Sequence, residues 1–259
     1  MKESESCFYK YDNLADEWAY YIIDAAYIQQ DKLLLALNTE LYGFDYWFMR
    51  KKFDIDHIRL RIKKTKGFRE VSFENQLSIM KCSFLKNKYE PELFLFGGEI
   101  GLGIAHEYFC FLSKMYLELL KMEQSKNHLN LVNISINNHF VKEILGDHFE
   151  VWDCWKRVFE LRKFEIDKYE KLIEHHRKSI ELFIEHDPVE FVPESLRHFF
   201  VETLEHLISS FRKAVSTGTL DRGPRSIISC LIIFGWNIFA LKPGIQGGIA
   251  ASFTKIYEP

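Results

Sequence analysis

A proton-active imidazole and two guanidiniums recur at alternate positions in His57-Ile58-Arg59-Leu60-Arg61, the densest group of chemically capable side chains in this chain. Apolar and basic residues alternate through Ile58-Arg59-Leu60-Arg61-Ile62, and a strand turns alternate side chains to opposite faces, so Arg59 and Arg61 share one face. Two guanidiniums so placed can hold a carboxylate or polarise a carbonyl through paired hydrogen bonds. A histidine beside them can move protons near neutral pH. The same pattern also suits a strand whose basic residues face water, and periodicity alone leaves both readings open. Further on, Glu92 stands just before the paired glycines of Tyr89-Glu90-Pro91-Glu92-Leu93-Phe94-Leu95-Phe96-Gly97-Gly98, as a buried acid or a general base.

Other patterns exclude more than they suggest. Gly97, Gly98, Gly101 and Gly103 lack both the P-loop lysine and the GxGxxG spacing, so they read as a tight turn opening a helix rather than a nucleotide cradle. His106-Glu107 begins like a zincin helix, but Cys110 stands where the second histidine belongs. His198, Glu202 and His206 would share a helix face, yet no further ligand cluster accompanies them, and the expectation is no metal site. His175-His176 reads as solvated, and no Gly-x-Ser-x-Gly elbow or Cys/His signature points to acyl transfer.

With 259 residues, 47% of them apolar and 15% aromatic, the chain can build one large domain or two intimate ones, and a single domain over 1–259 is the expectation. The net charge of −3 removes the general case for nucleic acid. The Arg50 to Arg69 stretch is nevertheless locally basic, which suits an acidic peptide, a phosphate backbone or a solvated strand face. Five scattered cysteines, Cys7, Cys82, Cys110, Cys154 and Cys230, form no CxxC pair and fit a reducing cytoplasm. Met1 to Asp16 is polar rather than signal-like, and no apolar run reaches the roughly 18 to 20 residues that span a bilayer.

The elements that must position these residues read as an α+β fold, with a sheet and hairpin in the N-terminal third and a predominantly helical remainder. Strands are expected at Trp18–Ala25, Phe44–Lys52 and His57–Lys64, the last two joined by a turn at Phe53-Asp54-Ile55-Asp56. Helices are expected at Gln29–Leu41, Asn75–Asn87 with Ser72 ahead, Gly98–Met122, through much of His148–His186, and at Glu194–Thr217, Arg225–Phe239 and Ile245–Tyr257. Glu92–Phe96 is expected as a short strand and the Asn-rich Asn127–Asn138 as a loop.

Trp47-Phe48-Met49-Arg50, His57 to Arg61, Tyr89 to Gly98 running into Ala105-His106-Glu107-Tyr108-Phe109, Gly218 to Arg225, and Ile233-Phe234-Gly235-Trp236-Asn237 with Gln246 occur in a telling order. In that order they resemble the small LanB-like proteins of thiopeptide and lantibiotic biosynthesis, related to the glutamate-elimination domain of lantibiotic dehydratases. Glutamate-eliminating members typically carry an Arg two residues before the paired glycines and a His in the stretch ending Asn-Arg. Here those positions hold Leu95 and Gly235, and Ile238 follows Asn237. Phe-Gly-Gly without that Arg, followed by Ala-His, looks more like the thiopeptide pyridine synthases of the thiocillin and micrococcin type.

That resemblance implies a cytoplasmic enzyme, without cofactor, that acts on a modified precursor peptide bearing a leader and two dehydroalanines. A formal [4+2] cycloaddition followed by loss of water and of the leader would leave a pyridine-centred macrocycle. It further implies catalytic roles for His57, Arg59, Arg61, Glu92 and His106, with His106 equally readable as a packed helix histidine. Substrate contacts would come from Tyr89, Tyr108, Trp236, Asn237 and Gln246, and leader contacts from Arg50, Lys52, Lys63 and Lys64. Other enzymes of the pathway are implied partners, a homodimer is among the arrangements allowed, and no membrane is called for. The competing readings are a split glutamate eliminase, a non-catalytic escort of the precursor peptide, and, on charge alone, a tRNA contact.

Overall fold

The computed structural model describes residues 14–51, 56–163, 180–181, 184 and 186–259. These divide into two compact units: one runs to Glu92 and includes Leu112–Glu123, the other combines Leu93–Phe111 with Gln124–Pro259. The α+β arrangement read from the sequence is present.

The first unit is built on an antiparallel sheet of β1 (Trp18–Asp24), β2 (Tyr46–Lys51), β3 (His57–Lys63) and β4 (Phe84–Asn87), in the order β2-β3-β1-β4. The expected hairpin pairs Arg50 with Ile58 and Tyr46 with Ile62, while residues 52–55 of its turn, Lys52 included, lie outside the described residues. Alternation divides the sheet sharply. Tyr21, Ile23, Ile58, Leu60 and Phe48 point to a face that is fully buried. This face is covered by α1 (Gln30–Glu40) through Leu34 and Leu37 and by α2 (Glu70–Ile79) through Phe73. The Phe48 amide also donates to Ser113 Oγ of the long helix α4 (Gly98–Lys121) at 3.2 Å. The opposite face carries Tyr20, Trp47, Arg59 and Arg61.

Three expected elements differ from what forms. The helix read to Asn87 stops at Ile79; Lys81 then turns with φ 56°, and Phe84–Asn87 becomes β4. There the ladder to β1 and the Phe84 ring against Tyr21, 6.1 Å between centroids, outweigh local helical preference. Leu93–Phe96 is one helical turn, α3, and not a strand, because Phe96 must insert edge-on against Phe109 and Phe234. The Asn-rich stretch forms α5 (Lys126–Leu145), started by the Ser125 side chain accepting from the His128 amide. Three of its asparagines, Asn133, Asn137 and Asn138, point inward: Asn137 accepts from the Tyr108 hydroxyl at 2.6 Å and donates to the Asn133 carbonyl, and Asn138 accepts from the Tyr257 hydroxyl.

The second unit is otherwise helical, with α6 (His148–Arg162), α7 (Glu194–Ser216), α8 (Pro224–Ile238) and α9 (Pro243–Ile256) close to their expected bounds. Much of the pattern expected up to His186, with His175-His176, lies outside the described residues, as does Cys7. Trp155 of α6 stacks on Phe253 of α9 at 4.0 Å and on Trp236 of α8 at 6.2 Å, which fixes the three helices together. Among the described residues no helix is long and apolar enough to cross a membrane.

The paired glycines do what their sequence position suggests. Gly97 and Gly98 sit at φ +77° and +89°, and the Gly97 carbonyl accepts from the Asp221 amide at 3.0 Å. A Cβ on Gly97 would lie 2.7 Å from Ile227, and one on Gly98 would collide with the Asp221 carboxylate. Gly103, inside the same helix, faces open space. Gly98→Ala is therefore expected to lower unfolding free energy by about 1–3 kcal/mol. Gly103→Ala should raise it by about 0.5–1 kcal/mol through helix propensity alone. Urea denaturation of both variants checks the opposite signs.

Candidate functional site

Register places the central cation. Arg61 stands directly between Tyr20 of β1 and Trp47 of β2, all three on one face. Its guanidinium carbon lies 4.0 Å from the Trp47 ring centroid, 4.6 Å from Tyr20 and 5.3 Å from Tyr89. Tyr89, in the segment after β4, closes the enclosure and meets Trp18, Tyr20 and Trp47 edge-on at 6.5, 6.4 and 6.2 Å. Only 3% of Arg61 is exposed.

Among the described residues no carboxylate pairs with Arg61, and its Nε is buried without a hydrogen-bond partner; Nη1 reaches the Arg59 carbonyl at 3.5 Å. Desolvation holds its pKa below the usual arginine value, opposed by Tyr89, Tyr20 and Glu92. An arginine stays charged even so, and the three ring faces supply the attraction that water would otherwise give. Glu92 is the nearby acid. Burial pushes its pKa up, with Arg61 the strongest opposing influence and Lys51 and Arg59 weaker ones, and its Oε2 is also buried without a partner.

Arg59 is the accessible member of the pair. It is half-buried, on the same face one step along β3, and its Nε donates to His57 Nε2 at 3.3 Å. That leaves the proton of a neutral His57 on Nδ1. His57, Arg59, Arg61 and Glu92 therefore belong to one constellation, with a shielded cation at one end and a half-exposed imidazole at the other. The two arginines that look equivalent in the sequence are not equivalent in the structure.

The basic hairpin is divided. Arg50 is on the opposite face, enclosed, with Nη2 2.8 Å from Asp31 Oδ1 and its guanidinium 4.8 Å above Tyr116. Lys64 pairs with Glu70 at 3.4 Å, Lys63 is half-buried, and Lys52 is outside the described residues. The expected leader contacts do not form a single surface, because strand alternation sends Arg50 and Lys63 to different sides.

The remaining expected residues lie in the second unit. Tyr108 and Trp236 are fully enclosed in its core, Tyr108 bonded to Asn137 and Trp236 stacked on Trp155. His106 is buried on α4. Asn237 and Gln246 do come together: Gln246 Nε2 donates to Asn237 Oδ1 at 3.3 Å and to the Leu241 carbonyl, and its Oε1 accepts from Arg162 Nε at 2.8 Å. Arg162 escaped the sequence reading because nothing local links it to Gln246. Tyr20 and Trp47 as cage walls were recoverable, since they alternate on the strands flanking Arg61. His198 pairs with Glu202 and His206 with Glu107 at the surface, and among the described residues no three His, Cys, Asp or Glu side chains converge as for a metal.

The family described as lantibiotic biosynthesis dehydratase C-term matches residues 18–237. Among solved structures the fold is similar to the tRNA-dependent lantibiotic dehydratase MibB from Microbispora sp. 107891, with TM-score 0.63 and 12% identity over 93% of this chain. The chain spans only 28% of MibB. It is also similar to TsrL, with TM-score 0.62 and 15% identity over 94% of this chain and 96% of that one. The pyridine synthase TbtD from thiomuracin biosynthesis gives TM-score 0.57 and 11% identity over 93% and 97%. No curated protein sequence matches.

Truncating Arg61 empties a cage already built around it. Arg61→Ala is expected to lower unfolding free energy by about 2–4 kcal/mol through the cavity and the lost cation–π contacts. Arg59→Ala should cost less than about 1 kcal/mol. Denaturant melts followed by tryptophan fluorescence check the contrast, and equal losses would refute the shielded role of Arg61.

Proposed function

The chain belongs to the lantibiotic biosynthesis dehydratase C-terminal family, and from that premise we propose that it is a thiopeptide-type pyridine synthase acting on a leader-bearing precursor peptide with two dehydroalanines. The observation that carries the reading is the desolvated Glu92 carboxylate within the field of Arg61 and Arg59, together with the His57 imidazole that accepts from Arg59 on the sheet face. The positions that resemblance assigns to glutamate elimination support it by what they hold. Leu95 offers only its carbonyl, which accepts from Arg222 at 3.3 Å, and Gly235 is a buried glycine of α8.

In this reading one dehydroalanine and the neighbouring amide, as its iminol, form an azadiene and the other dehydroalanine is the dienophile. Two ring bonds form, water leaves from the former amide carbon, and the leader leaves as an amide. Arg59 polarises the amide oxygen, Glu92 takes the amide proton as its ionised form, and His57 returns a proton to the departing oxygen. Arg61, from within its cage, favours the ionised form of Glu92 through its charge. Bringing two distant residues of one flexible peptide together is itself worth about 7–11 kcal/mol, and no cofactor is called for.

Purified protein incubated with such a peptide is expected to yield, by mass spectrometry, a macrocycle lacking water and leader together with the released leader amide. An unchanged mass with peptide bound would replace this reading by an escort role, and turnover of a glutamylated peptide alone would replace it by glutamate elimination. Arg59→Ala and Glu92→Gln should each lose about 100-fold or more in rate. Because burial raises the Glu92 pKa, its basic form accumulates only above the ordinary glutamate range. The rate should therefore rise with pH above the ordinary glutamate range, and this limb should vanish in Glu92→Gln.

A further inference from the structure

We propose that the groove between α6 and α8 binds a segment of an acidic peptide, held by Lys156 and Arg222. The groove is a cavity of about 420 Å³ open to solvent, lined by Lys156, Arg157, Leu161, Arg222 and Ser226 among others. Its charges do not balance. Asp153 is shared between Arg157 at 2.8 Å and Arg225 at 3.0 Å, Arg225 also meets Glu150 at 3.1 Å, and Glu160 pairs with Lys163. Lys156, on α6, and Arg222, just before α8, have no carboxylate partner among the described residues.

Both cations are instead steadied by neutral groups. The Lys156 ammonium lies 4.6 Å from the Trp152 ring, and Arg222 lies 5.2 Å over Phe94 while Nη1 donates to the Leu95 carbonyl. Nearby in sequence, Arg162 spends its Nε on neutral Gln246, and among the described residues it has no carboxylate partner.

The lining also says which anion. Asp153 and Glu160 interrupt the positive charge of the walls, which suits acids spaced along a peptide better than an unbroken row of phosphates, and their oxygens and Ser226 can accept from peptide N–H groups. Leu161, 54% exposed, and Phe94, 79% exposed beneath Arg222, offer contacts to apolar side chains between the acids. The volume exceeds what a lone small anion fills and lies in the usual range for ligand pockets. The inference is independent of the reaction proposed above, since it concerns binding alone.

The test is fluorescence anisotropy with the full chain and a labelled Glu-, Leu- and Ser-containing decapeptide, against the same peptide with every Glu replaced by Gln. Binding of the acidic peptide alone, weakened about tenfold or more by Lys156→Glu and by Arg222→Gln, is the expected result. Lys156 is exposed, so its variant keeps the fold; circular dichroism melts check Arg222→Gln. Equal affinity of wild type and Lys156→Glu, or equal binding of the Gln peptide, would overturn the proposal. So would displacement by millimolar inorganic phosphate, which would mean a small-anion site, or capture of tRNA in place of peptide.

Discussion

A guanidinium buried without a carboxylate is the constraint around which the first unit is organised. Taking a charge out of water costs several kcal/mol even after relaxation, and among the described residues Arg61 has no ion pair to offset it. The three ring faces around it can contribute about 0.5–2 kcal/mol each, but only if all are held at contact distance. That requirement fixes the register of β3 against both neighbours, because a one-residue slip would send Arg61 into the apolar face. It also obliges the chain after β4 to pass over the sheet so that Tyr89 can close the cage, and the same passage delivers Glu92.

Much of this was legible before the structure. Period-two alternation located β3 and put Arg59 with Arg61 on one face, and the glycine pair announced the turn before α4. The sequence did not by itself separate the two arginines: Tyr20 and Trp47 flank Arg61 only once the strand register is known, and Tyr89, which closes the cage, is related to β3 by no local pattern. Nor could it tell that Arg50 faces the core, where it meets Asp31 and Tyr116 from distant parts of the chain. The failures at Phe84–Asn87 and Asn127–Asn138 share this origin. Propensity is a property of neighbours in sequence, and both segments are decided by partners elsewhere: β1 for one, and Tyr108 and Tyr257 for the other.

The second unit solves a different problem with similar means. Asparagines in a helix interior usually compete with the backbone or seek water. In α5 each hydrogen bond they make is to a fixed donor or acceptor of the core, so polar side chains specify how the helix is rotated where apolar ones would leave it free. Tyr108 and Trp236 belong to that interior. Their place in recognisable motifs reflects the packing of α4, α5 and α8 as directly as any contact with a ligand.

The strand β4 ends the sheet with only four residues, with Leu85 exposed and Lys86 pinned between Glu70 and Glu74 of α2. A long apolar border would invite another chain to add a strand, the first step towards fibrils. A border this short gives a second copy too few bonds to gain, and Lys81 and Lys88 are exposed on either side of it. The sheet that carries the arginines is thereby guarded against self-assembly at the edge where it would otherwise be most vulnerable.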